Sequence, residues 1–264
     1  MRSRAGALAI VAALLAGSCG PVTKPPGGDS RAQWRPLPLI DSGKVDARWV
    51  HVGWGQLSVE DGSLRTDNDP RGLGVLVYRE EKLGDCQVRV VFRTKDARAN
   101  SGMFVRIADG ILEQAGHPGA MFDRSGGGIT EASRTSMMES SEREEGPWFA
   151  VHRGYEVQIM DEGDAFHRTG AIYSLAASSG APGKPPGEWR TMLITLEGKR
   201  IAVEVDGKEV TRFDPQSPDV PPRKQWYEPK REPERPEAGY IGLQTHDPGD
   251  VVWFREVSVR PLSR

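Results

Sequence analysis

Along most of the chain, apolar and polar side chains alternate with a period of two, as in strands that bury one face. The runs that carry this pattern are LSVEDGSLRT, GVLVYRE, CQVRVVFRT, SGMFVRI, YEVQIM, TGAIYSL, RTMLITLEG, RIAVEVDG, GYIGLQTH and VVWFREVSVRPL. Gly, Pro, Asp or Asn punctuates most of them. Gly198-Lys199 and Asp206-Gly207 sit as turn tips between consecutive runs, predicting a pair of hairpins. Little repeats at a helical period. Many short strands without intervening helices predict an all-β domain, a sandwich or a barrel.

Two stretches interrupt the rhythm. Residues 107–153 contain Gly126-Gly127-Gly128 and an acidic run, SEREEG, followed by PWFAVH. Residues 214–238 hold seven prolines among many charges. Loops of this length in a compact domain are binding loops and lids, or else disordered. Both are expected at one rim of the sandwich.

The first 18 residues read as an export signal: Arg2 and Arg4, then the apolar run LAIVAALLAG, then small residues. Leu15-Ala16-Gly17-Ser18-Cys19 resembles a bacterial lipobox, which makes Cys19 the expected lipidation site and the protein a membrane-anchored lipoprotein, periplasmic or at the cell surface. Residues 19–33 have the composition of a flexible tether, and 34–264 form the folded domain. With Cys19 acylated, Cys86 is alone in a strand-like run, a buried small hydrophobe rather than a nucleophile. A formal net charge of −2 with mixed signs argues against nucleic acid as a partner.

Candidate chemistry comes from polar residues that alternation puts on one face. Glu156 and Gln158 point away from Tyr155, Val157 and Ile159, with Asp161 at the strand end. Arg106 shares a face with Phe104, and Gln244 with His246. Tyr173 and Arg255 complete the set. Carboxylates, planar amides and guanidinium groups suit bidentate bonds to vicinal hydroxyls, and aromatic rings stack on sugar faces. The bland alternative is a wet sheet face with no function, since antiparallel sheets often leave one side in water. Of the remaining histidines, His51 and His117 have no constellation, while His152 and His167 flank the key strand. Trp148 and Trp226 sit in the two long loops and are the tryptophans to test as sugar platforms. Asp161, Glu162, Asp164 and His167 could bind a divalent metal cation, although their spacing is not that of an EF-hand. No nucleophile elbow, phosphate loop or paired Cys-x-x-Cys site is present.

Seven motifs in order carry a family resemblance: Asn100-Ser-Gly-Met-Phe-Val-Arg106, Gly154-Tyr-Glu-Val-Gln-Ile-Met-Asp161, Thr169-Gly-Ala-Ile-Tyr173, Gly187-Glu-Trp189, Val205-Asp-Gly207, Gly239-Tyr-Ile-Gly-Leu-Gln-Thr-His246 and Val252-Trp-Phe-Arg-Glu-Val257. Together they resemble the 3-keto-disaccharide hydrolase domain, also described as a 3-keto-glucoside lyase and hydratase. The resemblance implies a concanavalin-like jelly roll of two antiparallel sheets, an exported or lipid-anchored protein, and an oxidised carbohydrate as substrate. It carries Arg106, Glu156, Gln158, Asp161, Gln244, His246 and Arg255 over onto the family pattern. The implied chemistry is elimination across carbons 1 and 2 of a 3-keto sugar, then hydration. His246 or Glu156 is expected as base, with acid and base exchangeable. Arg106 or a bound divalent cation is expected at the enolate, and Gln158 and Gln244 at the hydroxyls. The long segments 107–153 and 214–238, and Thr-His-Asp-Pro after Gln244, depart from the family pattern and bear on substrate choice. The competing readings are a non-catalytic carbohydrate-binding domain and a structural envelope lipoprotein.

Overall fold

The computed structural model describes residues 33–124, 128–180 and 183–262. The export signal, Cys19 and most of the tether expected above lie outside the described residues. The elements are β1 Arg35–Pro36, β2 Ile40–Asp41, β3 Lys44–Val45, β4 Trp49–Gly53, β5 Gln56–Glu60, β6 Ser63–Asp67, β7 Gly74–Leu83, β8 Cys86–Thr94, β9 Ser101–Ile107, α1 Glu131–Glu142, α2 Pro147–Arg153, β10 Tyr155–Ile159, β11 Arg190–Glu197, β12 Arg200–Val205, β13 Lys208–Phe213, β14 Gly239–Thr245 and β15 Val252–Pro261.

They form two antiparallel sheets, as the alternation predicts. The larger has the order β13-β12-β11-β8-β15-β6-β5, with β1 on β15; the smaller has the order β10-β9-β14-β7-β4. The hairpins expected at Gly198-Lys199 and Asp206-Gly207 join β11, β12 and β13. Between the sheets lies one apolar core. Met103, Val105, Tyr155, Val157, Ile159 and Leu243 of the small sheet meet Val88, Val90, Phe92, Met192, Ile194 and Val257 of the large one. Removing this area from water is the main stabilising term of the sandwich.

The small sheet is unusual in being covered on its other face as well. Val52, Val75, Val77 and Phe104 pack there against Met137 of α1 and Trp148 and Val151 of α2. This is why every residue of β9 and β10 is buried, where simple alternation would leave half of them wet. The two helices are not foreshadowed by periodicity: α1, EASRTSMMESSE, buries only Met137 and three serines. Its start is set instead by the Thr130 side chain, which caps the Ser133 N–H at 3.1 Å. Pro147 in the first turn begins α2. The run TGAIYSL, expected as a strand, is a tight turn in which Ile172 bridges both Val157 and Ala176.

Candidate active site

The pairing of three neighbouring strands builds the site. Gln158 of β10 lies opposite Gly102 of β9, and Glu156 opposite Phe104. On the other side of β9, Phe104 pairs with Gly242 of β14; continuing that register sets Gln244 across from Gly102. Gly102 is thus flanked by two glutamines and has no side chain of its own. The Glu156 carboxyl leans into the space this leaves: a Cβ on Gly102 would lie 2.5 Å from Glu156 Oε1. There the carboxyl hydrogen-bonds the Gln244 side chain.

A second line of contacts runs along the rim. Gln158 Nε2 donates to Asn100 Oδ1 at 2.7 Å, which turns the Asn100 amide N–H toward His246 Nε2 at 3.3 Å. On its far side, His246 Nδ1 meets Asp250 Oδ2 at 2.9 Å. That bond places the proton on Nδ1 and leaves Nε2 as the acceptor facing the cleft. The His246 backbone N–H is held by Asn68 Oδ1 at 2.9 Å.

The electrostatics follow from this enclosure. Burial pushes the Glu156 carboxyl up to about 8, against the opposing pull of the His246 charge and the Gln244 hydrogen bond. Burial pulls His246 down, but the Asp250 hydrogen bond and the charges of Asp247, Asp250 and Glu156 outweigh it, and the net direction is upward. Tyr173 is raised by burial and by the Glu156 charge, so its phenol stays protonated. Glu156, Gln158, Gln244, His246, Asn100 and Tyr173 line a cleft of about 340 Å³, closed on the opposite side by Phe122, Trp148, Trp226 and Tyr227. The indoles of Trp148 and Trp226 lie 5.4 Å apart, so both loop tryptophans singled out above reach the site. The buried oxygens Gln158 Oε1 and Gln244 Oε1 have no hydrogen-bond partner among the described residues and are ready for ligand hydroxyls. A larger cavity of about 690 Å³ lies at the β12–β13 edge. Two ion pairs line it, Arg200 with Glu197 and Arg212 with Glu209; volume does not identify the site, and convergent polar groups do.

Three expected members lie elsewhere. Arg106 adopts φ +53° at a bulge where the β9–β14 register shifts, and this breaks the alternation that put it beside Phe104. Its guanidinium is buried toward Asp85, 3.8 Å away, and donates to the Pro236 carbonyl at 3.3 Å. Asp161 is consumed by Arg190 at 2.7 Å and by the Thr169 hydroxyl at 2.7 Å, and holds the turn after β10. Arg255 belongs to the other sheet; it is exposed at a bulge of β15 and stacks 4.5 Å over Trp189. The metal arrangement of Asp161, Glu162, Asp164 and His167 does not form: Asp164 and His167 bond each other, and no group of three or more His, Cys, Asp or Glu among the described residues could hold a metal ion. Conversely, Asn100 and Asp250 complete the network without having been expected. Asn100 opens the first motif, and Asp250 lies four residues beyond His246; neither is on a strand face that alternation ranks.

The comparisons with known proteins agree with this architecture. A crystal structure from Parabacteroides distasonis, provisionally designated a glycosyl hydrolase, is 24% identical with a TM-score of 0.57, covering 87% of this chain and 100% of that one. A second such structure from the same organism is 18% identical with a TM-score of 0.53, covering 84% and 92%. A Bacillus subtilis protein of unknown function with a galectin-like fold is 14% identical with a TM-score of 0.51, covering 88% and 100%. At these identities the likeness establishes the concanavalin-like sandwich and nothing finer. No curated protein matches the chain. The 3-keto-alpha-glucoside-1,2-lyase-like domain matches residues 33–260, nearly the whole of the described chain, and the protein belongs to that family.

Proposed function

We propose that this protein cleaves the glycosidic bond of 3-keto-glucosides by elimination and completes a net hydrolysis by hydration. The observation that carries the reading is the pairing, in one enclosed cleft, of a carboxyl kept protonated by burial with a histidine whose acceptor nitrogen is presented by Asp250. A ketone on carbon 3 acidifies the hydrogen on carbon 2. His246 Nε2 removes that proton, and the electron pair moves onto the ketone oxygen as an enolate. The bond from carbon 1 to the glycosidic oxygen then breaks as Glu156 protonates the leaving oxygen. Water adds to carbon 1 with Glu156 now taking its proton, and His246 returns its own to carbon 2.

Among the described residues no Lys or Arg lines the cleft, so the enolate role expected of Arg106 falls to hydrogen-bond donors. Asn100 is the donor at hand: Gln158 fixes its carbonyl, and one of its two amide hydrogens is spare. The family name supports the substrate class. The aromatic wall also suits a carbohydrate-binding protein without turnover, and the same assay separates the two. Purified protein offered a 3-keto-glucoside deuterated at carbon 2 should show turnover with a primary isotope effect and leave the unoxidised sugar intact. Turnover of the unoxidised glucoside alone would remove the elimination mechanism, and binding without turnover would leave the lectin reading. Export with acylation at Cys19 belongs to the same proposal: Cys19→Ala should shift the protein from the membrane to the soluble fraction.

A further inference from the structure

At the turn that carries Tyr173 and Ser174, a further pocket of about 250 Å³ is lined by Asp164, His167 and Ser174 together with Phe166, Lys224 and Arg231. His167 Nδ1 lies 2.9 Å from Asp164 Oδ1, and His167 Nε2 lies 3.0 Å from Ser174 Oγ. The carboxylate accepts from Nδ1–H, so Nε2 is the acceptor and the seryl hydroxyl is the donor. This is the arrangement of a nucleophile, its base and the group that orients the base. The Tyr173 side chain also hydrogen-bonds Ser174.

Ser174 has φ +56°, in the left-handed region, where a non-glycine residue is strained. Nothing about the turn requires its hydroxyl. The Ser174 N–H is already bonded to the Phe166 carbonyl at 3.1 Å, and its own carbonyl accepts from Arg231 at 2.9 Å. The side-chain bond to His167 is additional to the bonds that hold the backbone.

We propose that Ser174, His167 and Asp164 form a second, acyl-transferring site that takes short-chain carboxylic esters. His167 Nε2 accepts the seryl proton as Ser174 Oγ bonds to the ester carbonyl carbon, and the carbonyl π pair moves onto its oxygen. Lys224, lining the same pocket, supplies positive charge near that oxygen. The intermediate collapses, the alcohol leaves with the proton from His167, and water attacks the acyl-serine with His167 again as base. The net reaction is ester plus water to acid plus alcohol. The small volume and the Phe166, Pro221 and Pro222 walls limit the acyl group to a few carbons.

The test is a fluorophosphonate probe applied to the full chain, with peptide mapping by mass spectrometry. One label per chain is expected on Ser174, with loss of fluoride and none in Ser174→Ala. Labelling should be at least about 100-fold slower in His167→Gln and about 10-fold slower in Asp164→Asn, and p-nitrophenyl acetate hydrolysis should fall in the same order. Asp164 is exposed, so its variant keeps the test valid even if the Ser174 and His167 substitutions unfold the turn; thermal melts check each. Absence of label on Ser174, or a labelling rate unchanged in Asp164→Asn and His167→Gln, overturns the proposal. Activity on 3-keto-glucosides is independent of either outcome.

Discussion

Glu156 occupies the side-chain space that Gly102 lacks. An added Cβ would meet Oε1 at 2.5 Å and the carboxyl carbon at 3.0 Å, closer than atoms in a packed interior approach. Gly102→Ala should therefore push the carboxyl off its place across from Gln244 while leaving the sheet intact, since β9 pairs through its backbone. Expected is a fall in kcat of about 10- to 100-fold with an unchanged circular dichroism spectrum. A variant with full activity would mean that the carboxyl does not act from where it sits.

The opposed demands on the two titrating groups give a narrow pH profile. His246 must be neutral to take a proton, and its value lies above the ordinary 6.5. Glu156 must be protonated to give one, and burial holds it near 8. kcat should rise with pH through the histidine and fall again above about 8. Glu156→Gln should abolish the alkaline limb, at a cost of about 10²- to 10⁴-fold on alkyl leaving groups and much less on p-nitrophenol, which leaves unassisted. The same substitution has a stability signature. A carboxyl raised above its unfolded value contributes fully at low pH and loses that contribution as pH rises through the folded value. Glu156→Gln should accordingly melt higher than the parent at pH 9 and not at pH 5.

Asn100 and Arg106 exchange the roles that the sequence suggests for them. Asn100→Ala removes the donor aimed at the enolate and should cost about 10²-fold or more in kcat. Arg106→Met deletes a guanidinium that touches no part of the cleft; it should change melting temperature and leave kcat nearly unaltered.

That exchange shows where sequence reading succeeds and where it fails. The two sheets, the β11–β12–β13 hairpins and the shared face of Glu156, Gln158, Gln244 and His246 all follow from a period of two, which the backbone honours wherever strands are regular. Arg106 and Arg255 sit at bulges, and one extra residue there turns a side chain to the other face; alternation carries no mark of a bulge. Asp161 fails for another reason: its partner Arg190 is 29 residues away on the other sheet. The helices α1 and α2 escape notice because serines, not an apolar stripe, form much of the buried face of α1, so burial there is decided by what the loop covers.

His152 ties the covering segments together. Its Nδ1 accepts from the Lys230 N–H at 3.2 Å, and its Nε2 lies 3.0 Å from Ser141 Oγ, which in turn donates to the Trp226 carbonyl at 3.1 Å. Burial, helped by the Arg223 and Lys230 charges, pushes the imidazole down to about 4, against the pull of Glu144 and Glu142. Above pH 6.5 the ring is neutral folded or unfolded, and the clamp contributes fully. As pH falls from there through 4, the unfolded chain gains a proton that the folded chain resists, and roughly 3 kcal/mol is lost. Stability measured from pH 7 to pH 4 should drop, with tryptophan fluorescence changing first. His152→Gln should start less stable and lose less over that range.

Trp226 is the residue through which the clamp reaches the substrate. Its indole packs at 5.4 Å against both Trp148 and Tyr227, so α2 and the 214–238 segment present one aromatic surface opposite the Glu156 floor. Stacking on that surface holds the ground state and the transition state alike, since no charge develops there. Trp226→Ala should therefore raise KM for a 3-keto-glucoside about 10-fold and change kcat little. A fall in kcat with KM unchanged would assign the indole to catalysis instead, acting by keeping water from the enolate.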